Sequence, residues 1–77
     1  MKAQPKPIRS GDLPARLRTA RKKAGITPEA LGATCGVGRS AIVHWETGRS
    51  SPGLAMIEHL ANAVGVKAEF LAFGVRS

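Results

Sequence analysis

Apolar residues along this chain recur at helical spacings in three stretches, and each stretch stops at a glycine. Leu13, Leu17, Ala20 and Ala24 follow at steps of four, three and four, a stripe that predicts a core-facing helix over about Leu13 to Ala24. Asp12 stands at its N-cap, Pro14 is tolerated in its first turn, and Gly25 ends it before Ile26 enters the core. Leu54, Ile57, Leu60, Ala61 and Val64 predict an amphipathic helix over about Leu54 to Val64, ended by Gly65, with Val66 closing the core. Ile42 and Trp45, three residues apart, share one buried face of a helix from about Arg39 to Thr47. Two shorter helices complete the set, about Pro28 to Thr34 around Leu31 and about Lys67 to Phe73 around Phe70, Leu71 and Phe73. No segment alternates apolar and polar residues with β-branched enrichment, so the expected class is all-α with five helices.

The stretch TPEALGATCGVGRSAIVHWETG, Thr27 to Gly48, carries more specific information. Thr27 is an N-cap type and Pro28 suits the first helical position, where a missing N–H costs nothing. Gly32 leaves room for a neighbouring helix, Gly36 can supply the positive φ of a tight turn, and Val37 fills the core beneath it. Gly48 falls where a C-cap glycine belongs. Two short helices around a turn containing glycine form a helix-turn-helix. On the second of them, Arg39, Ser40, Ala41 and His44 point away from the Ile42/Trp45 face.

With those residues in view, the chain resembles the lambda-repressor-like helix-turn-helix family of Cro and XRE-type regulators. The resemblance spans about residues 13 to 73 and rests on LPARLRTARKKAGITPEAL, CGVGRSAIVHWETGRSSP and LAMIEHLANAVGVKAEFL. It implies a compact five-helix DNA-binding domain, taken as residues 12–77; residues 1–11, with two prolines and a glycine among three basic residues and no periodicity, are read as a flexible basic arm. It also implies a sequence-specific transcriptional regulator, a repressor, that binds a palindromic operator as a homodimer with the third helix in the major groove.

By that resemblance Arg39, Ser40, Ala41 and His44 are the base-reading positions, although an ordinary solvated helix face would look the same. Arg39 can give a bidentate pair to guanine, Ser40 can bond a base or phosphate, Ala41 can touch a thymine methyl, and His44 can reach a base edge. By the same resemblance phosphate contacts fall on Arg21, Thr27, Gly38, Thr47, Arg49 and Ser51, which fix register without reading sequence, although ordinary polar surface positions would look the same. The resemblance also implies that Arg21 pairs with Glu46 and holds the third helix at its docking angle, the alternative being two independent surface charges. Two positions depart from the family pattern: Pro28 replaces the usual glutamine, and Gly38 replaces the usual Ser/Thr cap. Met56, Phe70, Leu71 and Phe73 are candidates for the dimer surface, with at least one of Phe70 and Leu71 expected in the core.

Charge sharpens the choice of partner. Residues 1–25 hold eight Lys/Arg against Asp12 alone, and residues 26–77 hold four against four, so the whole net charge of +7 lies in the leader and first helix. A polyanion fits that surface, double-stranded DNA ahead of a membrane, although solubility alone could maintain such a charge. Lys2, Lys6 and Arg9 could wrap a duplex, or the arm could simply be disordered. No stretch approaches the ~18 apolar residues of a membrane span, and the first residues show no signal-peptide pattern. The single Cys35 is read as a small buried hydrophobe rather than a reactive thiol, in keeping with a reducing cytoplasm.

Catalysis finds little footing. His44, His59 and Cys35 stand apart without metal-ligand spacing, so neither an enzyme nor a cofactor is expected. Two other functions share the expected fold: an antitoxin-type protein that neutralises a partner protein, and a nonspecific architectural DNA binder.

Overall fold

The computed structural model describes residues 12–74. The expected arm, with Lys2, Lys6 and Arg9, lies outside them. Among the described residues the chain forms α1 (Leu13–Ala24), α2 (Pro28–Cys35), α3 (Arg39–Thr47), α4 (Leu54–Val64) and α5 (Ala68–Phe73), with no strand. The expected all-α class and order hold, and the boundaries shift by one residue at two places. α2 continues through Cys35, and Lys67 is the N-cap of α5 rather than its first residue.

Local chemistry sets the helix ends. Among the described residues, every helix finishes on a glycine with φ between 75° and 80°, and no non-glycine residue has positive φ. Gly36 shows why this matters: its left-handed turn sends the chain directly from α2 into α3, and Val37 N–H closes the turn onto Gly32 C=O at 2.8 Å. Thr27 caps α2 by accepting from Ala30 N–H at 3.1 Å. Asp12 occupies the N-cap of α1, but its side chain makes no capping bond there.

Each helix sends one aliphatic side chain to full enclosure: Leu17, Leu31, Ile42, Leu60 and Leu71. Ala20, Ile57, Ala61 and Val64 complete the core, and Leu13, Ile26, Cys35, Val37, Trp45 and Val66 pack on it while half-buried. Ala24 and Leu54 leave the predicted stripes and are exposed, Leu54 at 70%. Each sits on the terminal turn of its helix, where the periodicity persists but no neighbour covers it. α3 packs on α1 and α2, and α5 packs on α1 and α4, so α1 is shared by both.

Arg16 fastens the last helix to the first. Placed off the apolar stripe of α1, it is half-buried and donates from Nε to Leu71 C=O at 3.0 Å and from Nη2 to Ala72 C=O at 2.9 Å. Carbonyls near a helix C-terminus lack intrahelical donors, and a guanidinium supplies both the hydrogen bonds and the favoured sign of charge.

Candidate nucleic-acid interface

The candidate surface is the outer face of α3. Its inner face is anchored twice, by Ile42 in the core and by Glu46 on α1. Arg21 Nε donates to Glu46 Oε2 at 2.7 Å and Nη2 donates to Oε1 at 3.1 Å, a bidentate pair with both residues at 9% exposure or less. Nη1 donates to Ile26 C=O at 2.8 Å, which ties the pair to the loop after α1 as well. A carboxylate and a guanidinium matched edge to edge fix orientation, so α3 has a defined rotation about its own axis.

That rotation leaves Arg39, Ser40 and His44 exposed. Ala41 is half-buried and offers only part of its methyl. Gly38 caps α3 with φ −84° and no side-chain hydrogen bond, so the first amides of the helix have no hydroxyl partner. Amides at such an end favour an anion.

The flanking residues are less uniform. Thr27, Arg49 and Ser51 are exposed at the two ends of the motif. Thr27 uses its oxygen as an acceptor in the cap and keeps its O–H for a further acceptor. Thr47 donates its O–H to Val43 C=O at 2.8 Å, so it meets a phosphate through that hydrogen only by breaking this bond. Arg21 is largely enclosed, with three N–H groups already engaged by Glu46 and Ile26 C=O. Exposed Arg18, Lys22 and Lys23 keep positive charge along α1, and the latter two also sit favourably on the C-terminal end of its dipole.

Two features here were not legible in the sequence. Gly32 faces the turn and not a helix: a Cβ there would lie 2.7 Å from Val37 O and 3.1 Å from Gly38 C and O. In addition, Arg39 Nε lies 3.1 Å from Glu29 Oε2 of α2, an exposed ion pair across the turn. Their signal was weak, since any residue of α2 could face any residue of α3 until the turn geometry is known.

The dimer-surface candidates separate. Leu71 is fully enclosed and belongs to the core, which removes it from any contact surface. Phe73 is 72% exposed, and with half-buried Phe70 it lines an open groove of about 740 Å³ beside Arg16, Lys23 and Val64. Met56 is half-buried on α4 and does not line that groove.

Among the described residues, no three of His, Cys, Asp and Glu cluster to hold a metal, and no helix is long and apolar enough to cross a membrane. Cys35 is half-buried on the core, and desolvation pushes its thiol above the ordinary range, which disfavours the reactive thiolate. His59 is exposed on α4.

Comparison with known proteins agrees with the five-helix fold. A family model described as a helix-turn-helix domain matches residues 12–72. An uncharacterized HTH-type transcriptional regulator of Methanothermobacter thermautotrophicus is 41% identical over 49 residues, which cover 64% of this chain and 71% of that protein. The c2 repressor of P22, solved in complex with a synthetic operator, matches with a TM-score of 0.78 at 31% identity, over 83% of this chain and 97% of that one. The restriction-modification controller protein C.AhdI from Aeromonas hydrophila matches with a TM-score of 0.72 at 30% identity, over 77% of this chain and 86% of that one.

Proposed function

Because the chain belongs to the helix-turn-helix domain family, in its lambda-repressor-like Cro/XRE branch, we propose that it is a DNA-binding transcriptional regulator that represses from a palindromic operator as a homodimer. The observation that carries this reading is the outer face of α3. A helix locked by Ile42 and by the Arg21–Glu46 pair presents Arg39, Ser40 and His44 outward from an end with no side-chain cap. Polar, exposed side chains at the N-terminal end of a rigid helix are what readout of base edges in a major groove needs.

In this reading Arg39 pairs with guanine, Ser40 and His44 make further base or phosphate contacts, and the half-buried Ala41 methyl meets a thymine methyl. Thr27, Arg49, Ser51 and the backbone N–H at Gly38 hold phosphates on either side. Arg21 contributes by orientation through Glu46, and Thr47 by exchanging its internal bond. One such helix spans only a few base pairs, so two copies reading grooves ~34–36 Å apart supply affinity and selectivity. Phe70 and Phe73, with the groove they line, support α5 as the contact between copies. Lys2, Lys6 and Arg9 would add sequence-independent phosphate contacts.

Selection of bound duplexes from a random pool at ~0.15 M salt tests the proposal. Enrichment of a palindrome with half-sites about one helical turn apart is the expected result. Binding without enrichment replaces it with an architectural role, and absence of binding with a protein-neutralising one.

A further inference from the structure

Of the two glutamates in the helix-turn-helix, Glu46 is buried against Arg21 and Glu29 is exposed. An exposed carboxylate on this surface opposes approach to a polyanion, through like-charge repulsion. Its placement gives it a use. Glu29 is the second residue of α2 and Arg39 the first of α3, and Oε2 of the one stands 3.1 Å from Nε of the other, with side chains 64% and 59% exposed.

We propose that Glu29 is a positioning residue that makes Arg39 selective for guanine, an inference that rests on the reading of Arg39 as a base contact. A guanidinium is planar, with five N–H donors divided among its edges. A carboxylate held at Nε occupies one edge and leaves the terminal amino groups as an outward fork, the pattern that matches guanine O6 and N7. An arginine on an exposed helix end otherwise loses rotamer freedom when it binds, and a partner that restrains it beforehand lowers that cost. The same carboxylate works against wrong sequences. If Arg39 turns aside to a phosphate, Glu29 is left unpaired beside the DNA, so nonspecific contacts are penalised while the guanine contact is not.

Binding of the full chain and of Glu29→Gln, Arg39→Ala and the double variant decides the matter. Three duplexes are compared at ~0.15 M salt: the selected site, the site changed at the base pair whose preference Arg39→Ala abolishes, and an unrelated sequence. Both side chains are exposed, and a thermal melt confirms folding. Glu29→Gln is expected to lower the preference for guanine by about three- to fivefold. It should bind the unrelated duplex at least as tightly as the parent does, and in the Arg39→Ala background it should raise affinity on all three duplexes alike and leave the base preference unchanged. An unchanged preference in Glu29→Gln, with Arg39→Ala still losing it, overturns the positioning role and leaves Arg39 as a base reader. A uniform loss on all three duplexes overturns it too, since that is the mark of a merely structural residue. If Arg39→Ala alters no position of the site, base reading by Arg39 fails and the inference falls with it.

Discussion

Removing one partner of the Arg21–Glu46 pair should do more damage than removing both. Glu46→Ala leaves a guanidinium that is 8% exposed with a single bond, to Ile26 C=O, and no counter-charge. Stranding one member of a buried pair costs about 3–5 kcal/mol. A domain of this size loses about 4–8 °C in melting temperature per kcal/mol, so the single variant should melt at least about 12 °C lower. Replacing both residues with apolar groups of similar volume, Arg21→Met with Glu46→Leu, removes the stranded charge and should recover most of the loss.

The two readouts then part company. The double variant folds, yet α3 has lost the contact that fixes its rotation, so its affinity for the selected duplex should fall well below that of the parent. Far-UV circular dichroism melts of the parent, Arg21→Met, Glu46→Leu and the double variant give the coupling, expected to exceed about 2 kcal/mol. Repeating the melts at ~0.5 M salt should leave the coupling nearly intact, since screening acts weakly on an enclosed pair. Single variants that melt within about 4 °C of the parent, or a double variant that shows the plain sum of the two, would refute the reasoning. A stable double variant with parental DNA affinity would retain the energetics and remove the positioning role.

Other substitutions probe the remaining joints. Gly32→Ala places a Cβ 2.7 Å from Val37 O; overpacking of about 1–3 kcal/mol against a helix-propensity gain of about 1 kcal/mol should leave a small loss of stability. Displacement of the turn should cut DNA binding by more than that loss explains, and a melt paired with a binding isotherm checks it. Gly38→Ser meets no atom within 4 Å; it should stabilise by a few tenths of a kcal/mol through the new cap and raise duplex affinity through its hydroxyl. Arg16→Ala removes two charged donors from α5 carbonyls and should cost about 1.5–3 kcal/mol, with amide exchange accelerating first in α5. Cys35, whose thiol burial pushes upward, should alkylate more slowly in the folded chain than in denaturant. Because the unfolded thiol ionises first, stability should decline as pH rises above about 8.5, and Cys35→Ala should flatten that decline.

The fold was legible because its instructions are local. Glycines after each helix, Pro28 at a first turn and Thr27 at a cap act within a few residues, and the stripes around Leu17, Ile42 and Leu60 repeat within one helix. Periodicity misplaced Ala24 and Leu54 because it has no knowledge of where neighbouring helices end. The Arg21–Glu46 pair was reached through family resemblance, and spacing alone would not have joined residues 25 apart. Arg16 was missed for a related reason, since its acceptors are backbone carbonyls 55 and 56 positions away and carry no side-chain signature. Gly32 was recognised as a point of close approach, but which atoms approach it depends on the turn.

The two arginines of α1 also have a mechanical meaning. Arg16 grips α5 and Arg21 grips α3, five residues apart on one helix, so α1 acts as a rigid crossbar between the reading surface and the far end of the chain. If two copies join through α5, the distance between their reading helices is set by two such crossbars in series. Operator spacing would then be a property of α1, and a change of one base pair between half-sites should be tolerated only as far as those two clamps can flex.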